Sequence, residues 1–155
     1  MLTEKRVIMS QKAQYAVRAL LELAKRKGSA PVKAASISDA QHIPLRFLEN
    51  ILSELRQAGM VDSVRGKEGG YLFRGNPADV SVGETVRLIR GPMFAADCLD
   101  EKKGVSCPLR PSCVLLPLWE SGHKAMMDVY DSTTFADLAE SDRAARESIP
   151  INYSI

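Results

Sequence analysis

Apolar residues recur every three or four positions through the first third of the chain. This spacing predicts an amphipathic helix over residues 10–27, a short helix over 34–41 and a third helix from 44 to about 58. The predicted apolar face of the first helix consists of Val17, Leu20, Leu21 and Ala24. The predicted inward face of the third consists of Leu45, Leu48, Leu52 and Leu55.

The pattern changes after Gly59. Two short runs of strand-forming residues, 60–65 and 71–74, flank a glycine-rich segment, which predicts a β-hairpin. A hairpin that directly follows two helices joined by a tight turn is typical of a winged helix-turn-helix. The predicted tip of this wing carries Arg65 and Lys67.

The second half of the chain is again mainly helical. Ser81 and Glu84 have the spacing of a capping box and predict a helix that ends at Gly91. Residues 93–112 are expected to form a loop, and a long helix is expected from about residue 113 to 131. A last short helix is predicted from Thr134 to Leu138, before a loosely ordered tail.

The apolar residues of the long helix are spaced alternately by three and four positions, which is typical of a coiled-coil seam. We therefore expect this helix to join two copies of the chain in a homodimer; the alternative is contact with another helix of the same chain. The candidate dimerisation residues are Leu115, Leu118, Trp119, Gly122, Ala125, Met126 and Val129.

The predicted fold class is thus mainly α with a small β-hairpin. It comprises a winged helix-turn-helix domain and a long C-terminal dimerisation helix. The expected division is a DNA-binding domain over residues 1–92, a cysteine-bearing loop over 93–112, and a dimerisation helix with its tail over 113–155.

Charge is distributed unevenly along the 155 residues. Residues 1–75 hold 13 Lys and Arg against 7 Asp and Glu, a net charge of +6, whereas residues 76–155 hold 8 against 12, a net charge of −4. This asymmetry is typical of a first half that meets a polyanion, and the alternative is a chance division of charge. No apolar run approaches the roughly 20 residues of a membrane span, and no signal peptide is recognisable, so a cytoplasmic protein without membrane contact is expected. No catalytic motif is found, which argues against an enzyme.

Three cysteines, Cys98, Cys107 and Cys113, lie within sixteen residues. An odd number without a signal peptide does not indicate a disulfide framework. Thiolates are soft ligands that suit iron–sulfur clusters, zinc and copper(I), and this spacing differs from the paired cysteines of structural zinc sites. The alternatives are a regulatory disulfide between two of the cysteines and burial as small apolar side chains.

Several ordered segments resemble the IscR/NsrR-type bacterial winged-helix regulators, also written as the Rrf-two family. The most specific segment is Ser-Val-Arg-Gly-Lys-Glu-Gly-Gly-Tyr over residues 63–71, and residues 14–17, 47–52, 107–110 and 133–138 also match. The resemblance extends from about residue 7 to 138. It implies a transcriptional regulator, most often a repressor, that places the third helix and the wing arginine, here Arg65, on DNA.

The resemblance further implies an iron–sulfur cluster bound by Cys98, Cys107 and Cys113, of the 2Fe–2S or 4Fe–4S type, which senses nitric oxide, oxygen or redox state. IscR-type proteins carry a histidine three positions after the last cysteine, where this chain has Leu116. The carboxylate that NsrR-type proteins contribute from the first helix corresponds to Gln14 here. The fourth ligand is therefore open, and His123 is expected to point to solvent.

The third predicted helix carries side chains that suit base edges in the major groove of DNA. Arg46 can donate to guanine or phosphate, Glu49 can accept from cytosine, and Asn50 can pair with adenine. Arg65 and Lys67 on the wing can reach phosphate or the minor groove. A homodimer would then recognise a near-palindromic operator. The alternative function is a cluster-free regulator controlled by a thiol switch, a metabolite or a protein partner.

Overall fold

A computed structural model describes residues 9–104 and 107–148 of the chain. Within these ranges the elements are helices α1 (Gln11–Lys25), α2 (Ala34–Gln41) and α3 (Leu45–Gln57), strands β1 (Val61–Val64) and β2 (Gly70–Phe73), and helices α4 (Val82–Arg90), α5 (Glu101–Gly104), α6 (Leu116–Ser132) and α7 (Phe135–Glu147). Short 3-10 turns lie at Pro77–Asp79, Asp97–Leu99 and Arg110–Ser112. The predicted fold class, mainly helical with one small hairpin, is confirmed. The predicted division into three domains stays a prediction.

Helix α1 lies at the centre of the fold. The hydroxyl oxygen of Ser10 accepts a hydrogen bond from the Ala13 backbone N–H at 3.2 Å and so caps its first turn. Helices α2, α3, α4 and α7 all pack against it. Its fully buried residues are Ala13, Ala16, Ala19, Leu20 and Leu23. The predicted apolar face was partly wrong, since Val17 and Leu21 are only half-buried. The buried surface differs from the prediction because several helices cover α1 and pack closely against its small alanines.

The turn between α2 and α3 has a conformation that side chains rarely adopt. His42 ends α2 with a φ of +50°, in the left-handed region, and the hydroxyl of Ser38 donates to the Ile43 carbonyl oxygen at 2.6 Å. Leu48, Leu52 and Leu55 on α3 are fully buried, as predicted. Leu45 was wrongly assigned to the inward face and is 42% exposed, because the first turn of α3 extends past the edge of the core.

The wing is a two-stranded antiparallel hairpin in which Val61 pairs with Phe73 and Val64 with Gly70. The predicted hairpin is thereby confirmed. Val32, just before α2, adds an isolated antiparallel bridge to Tyr71, with N–H to carbonyl distances of 2.9 and 2.8 Å. A Cβ atom on Gly70 would lie 2.5 Å from the Val32 carbonyl oxygen, so the bridge can approach this closely only because residue 70 is glycine.

The last two helices close the fold. Helix α6 begins at Leu116, three residues later than predicted, with Pro117 in its first turn. Helix α7 was predicted to stop at Leu138 but continues to Glu147, and residues 149–155 of the expected loose tail lie outside the described part of the chain. Phe135, the first residue of α7, has no exposed surface, and its ring centroid lies 5.8 Å from that of Phe73 on the wing.

The Thr134 cap explains where α7 begins. The Thr134 hydroxyl accepts from the Asp137 backbone N–H, and the Asp137 carboxylate accepts from the Thr134 backbone N–H at 2.9 Å. Hydrogen bonds from the Thr134 hydroxyl and backbone hold the pKa of Asp137 below its ordinary value. Ser81 likewise caps α4 by accepting from the Glu84 N–H at 3.1 Å.

A buried carboxylate joins three helices. Glu22 on α1 accepts from the side-chain amide of Gln41 at 2.8 Å and forms ion pairs with Lys25 at 3.0 Å and Arg26 at 2.7 Å. Burial by itself raises the pKa of Glu22, but these hydrogen bonds and charges outweigh it and bring the pKa below its ordinary value. Lys25 also contacts Asp142 at 3.1 Å, which links α7 to this network.

Candidate DNA interface and cysteine loop

The exposed N-terminal half of α3 presents the predicted recognition residues. Arg46, Glu49 and Asn50 are all exposed, at positions that share one side of the helix. Lys12 on α1 contacts Glu54 at 2.6 Å and ties α3 to the centre of the fold. The recognition helix of a helix-turn-helix contacts bases through its N-terminal residues, so this arrangement suits entry into the major groove.

The sequence reasoning missed Phe47, which is 47% exposed on the same half of α3. Its position beside the buried Leu48 gave no signal, because α3 buries two adjacent residues, Ile51 and Leu52, one turn later.

The wing tip carries Arg65 and Lys67, both exposed as predicted. Its turn is tight: Gly66 has a φ of +105°, and the Gly69 N–H donates to the Gly66 carbonyl at 3.0 Å. Arg56, in the last turn of α3, donates to the Ser63 hydroxyl at 3.4 Å. This bond is one contact between α3 and the wing, and it lies at the solvent-exposed edge where the two elements meet.

The cysteine loop contains all three cysteines of the chain. Cys98, Cys107 and Cys113 are all half-buried free thiols. The guanidinium of Arg110 donates to the Cys98 carbonyl oxygen and so joins the two ends of the loop. Among residues 9–104 and 107–148, no three histidine, cysteine, aspartate or glutamate side chains are grouped closely enough to hold a metal ion.

His123 does not point to solvent as expected. Its ring stacks on Phe94, with centroids 5.9 Å apart and planes at 28°, and its Nδ1 is buried without a hydrogen-bond partner in the described part of the chain. Phe94 precedes Cys98 by four residues. The loop that carries the first cysteine therefore packs directly on α6.

Helix α6 exposes the apolar side chains that were predicted to join two protomers. Leu115 is 49% exposed, Leu118 58%, Trp119 40% and Val129 61%, whereas Met126 is half-buried. Gly122 and Ala125 are exposed between them, and a Cβ atom on Gly122 would meet nothing within 4 Å. So large an exposed apolar surface is typical of an interaction site. None of the described helices is both long and apolar enough to traverse a lipid bilayer.

Comparisons with known proteins agree on one family. Residues 9–141 match Rrf2, which is described as an iron-dependent transcriptional regulator family. The chain is 33% identical to the transcriptional regulator CymR of Bacillus subtilis strain 168 over 131 residues, which cover 84% of this chain and 88% of CymR. It is also 33% identical to IscR of Klebsiella pneumoniae strain 342 over 130 residues, or 84% of this chain and 78% of that protein.

Solved structures give the same result. The structure of B. subtilis CymR, described as the global cysteine regulator, matches with a TM-score of 0.71 and 32% identity over 91% of this chain and 98% of that one. The structure of IscR from T. potens matches with a TM-score of 0.72 and 32% identity, and the match covers 91% of this chain and 92% of that one. The family resemblance seen in the sequence is confirmed, and this chain belongs to the Rrf2 family of transcriptional regulators.

Proposed function

We propose that this protein is a cytoplasmic, homodimeric repressor that binds a near-palindromic operator and whose affinity for DNA is set by chemistry at Cys98, Cys107 and Cys113. The observation that carries the DNA-binding part is the placement of an exposed polar row on α3 beside a basic wing. Transcriptional regulation in the matched family supports it.

Each part of the interface has its own role in this proposal. Asn50 is suited to a bidentate bond with adenine, Glu49 to a bond from the cytosine amino group, and Arg46 to guanine or phosphate. Arg65 and Lys67 add positive charge about the wing, where phosphate contacts set the register of the protein on the duplex. The acidic second half of the chain would then face away from the DNA.

An iron–sulfur cluster is the group we propose for the cysteine loop. Three soft thiols within sixteen residues fit its chemistry, and the iron-dependent description of the family supports it. When bound, such a cluster supplies redox and ligand-exchange chemistry that responds to nitric oxide or oxygen. Because the thiols are not grouped in the described chain, the loop would have to bring them together to hold the cluster.

A thiol switch without a cluster is the second candidate. It is favoured by the presence of three free, half-buried thiols and by the similarity to a protein described as a cysteine regulator. Two of the thiols would form a disulfide by giving up two protons and two electrons to an external oxidant such as a peroxide, and the disulfide would change the loop that packs on α6.

We expect Cys107→Ala to remove bound iron and the visible absorption of anaerobically purified protein, because a thiolate ligand is lost. Iron and sulfide counts together with an absorption spectrum provide the measurement, and Ser112→Ala in the same loop is the matched control. Wild-type iron content in Cys107→Ala would overturn the ligand assignment. A wild-type protein that stays colourless after anaerobic reconstitution would favour the thiol switch.

We expect the wild-type chain of 17.0 kDa to be a dimer in solution and Leu118→Glu to be a monomer. A carboxylate buried in an apolar interface loses its hydration without a partner. Light scattering at a fixed concentration measures the mass. Lys124→Glu is the matched control, since Lys124 is 75% exposed on α6 and pairs with Asp128 rather than joining the apolar row. A monomeric wild type, or an unchanged Leu118→Glu dimer, would exclude this face as the dimer contact.

A further inference from the structure

Phe47 is a large aromatic side chain left exposed on the proposed recognition helix. It is 47% exposed, whereas its neighbour Leu48 is fully buried. It lies next to Arg46 and three positions before Asn50, so it belongs to the part of α3 that would enter the major groove. A ring that is about half in water gains free energy when a partner covers it, so a contact made by Phe47 in the bound state would strengthen binding.

The ring is held in place by α1. The ring of Tyr15 meets Phe47 edge-on, with centroids 6.1 Å apart and planes at 81°. Tyr15 is itself fixed, because its hydroxyl accepts from the Gln11 amide at 3.1 Å and the Arg18 guanidinium lies 5.9 Å from its ring centroid. Phe47 therefore has one face packed and the rest presented outward in a defined orientation, and little side-chain entropy remains to be lost on binding.

The chemistry of the major groove offers one matching partner. Phenylalanine has no hydrogen-bond donor or acceptor and so cannot read the polar base edges. Thymine alone presents an apolar group there, its C5 methyl. Arg46 beside Phe47, together with the basic wing, favours DNA as the occupant of this face over another apolar surface.

We propose that Phe47 contacts the C5 methyl of a thymine in each operator half-site and thereby helps to determine the sequence preference. This inference rests on the proposed DNA-binding function. Arg46, Glu49 and Asn50 would read polar groups on the bases. Phe47 would add an apolar contact that distinguishes thymine from cytosine and from uracil.

The test uses duplexes that the wild-type protein selects from a random-sequence pool. Each thymine of a half-site is replaced in turn by deoxyuridine, which pairs identically with adenine but lacks the methyl. We expect one position to weaken binding about four-fold per methyl removed, and about sixteen-fold when both half-sites are changed, as expected for loss of one buried carbon group at each site. Phe47→Ala should bind the thymine duplex more weakly and should no longer distinguish it from the deoxyuridine duplex.

Leu45→Ala is the matched control, because Leu45 is a similarly exposed apolar residue of α3, at 42% exposure, two positions before Phe47. It should retain the difference between thymine and deoxyuridine. The inference is overturned if no thymine position is sensitive, if selected half-sites lack thymine, or if Phe47→Ala keeps the sensitivity. A wild-type protein that selects no duplex at all would instead refute the proposed function itself.

Discussion

Replacing Phe135 with alanine is expected to lower the free energy of unfolding by about 3–5 kcal/mol, the cost typical of deleting a fully buried aromatic ring. Phe135 has no exposed surface and packs against Phe73, so its loss would leave a cavity between α7 and the wing. Because the residue opens α7, the same change should loosen the attachment of that helix to α1.

Chemical denaturation at one fixed protein concentration measures this effect, since dimerisation would make the stability depend on concentration. Phe94→Ala is the matched control: it removes the same ring from a site that is 37% exposed, and a smaller loss is expected. A loss for Phe135→Ala below about 1 kcal/mol would mean that the cavity collapses or that α7 contributes little to the core.

Replacing Arg65 with alanine is expected to weaken operator binding by about 1–3 kcal/mol, as for loss of one good arginine contact to DNA. Arg65 is exposed at the start of the wing turn, directly after β1, and the bond from Arg56 to Ser63 holds that strand against α3. Arg65 is thereby placed on the same face of the fold as the proposed recognition helix.

Titrations at several salt concentrations distinguish two modes of contact. The slope of log affinity against log salt concentration is the quantity to compare. A slope shallower by about one unit indicates that Arg65 contacts a phosphate, whereas an unchanged slope with a relaxed sequence preference indicates that it contacts a base. Arg143→Ala serves as the control, because Arg143 is 65% exposed on α7 and pairs with Glu140. If Arg65→Ala binds as tightly as the control, the wing does not take part in the interface.

The helix-turn-helix and the hairpin could be predicted because their hydrophobic periodicity and turn residues are visible in the sequence. Leu48, Leu52 and Leu55 follow a helical period, and the glycine-rich turn separates two strand-forming runs. The face of α1 could not be predicted as well, because several neighbours cover that helix and small alanines rather than large apolar residues line the closest contacts. The length of α7 escaped notice since Phe135 supplies its fully buried contact, while the residues after Leu138 are mostly polar or small.

In the candidate site, too, local sequence patterns predict some features, and contacts between distant segments determine the others. The exposed positions of Arg46, Glu49 and Asn50 follow from the period of α3, so the sequence was sufficient to place them. The exposure of Phe47 depends on where the core ends and on the presence of Tyr15 from another helix, which a periodic pattern does not contain. The cysteine spacing indicates which residues can act together, but the contact of Phe94 with His123 arises only from the packing of the loop on α6.

The backbone bridge from Val32 to Tyr71 joins the wing to the segment just before α2. Together with the packing of β1 on α3, it attaches the hairpin to both helices of the helix-turn-helix. In the proposed two-fold dimer, the quantities left to adjust are then the spacing and helical phase of the two helix-turn-helix units along the DNA axis. A change in the cysteine loop, transmitted through α6, would alter the tolerated number of base pairs between half-sites and leave the preferred sequence within each half-site unchanged.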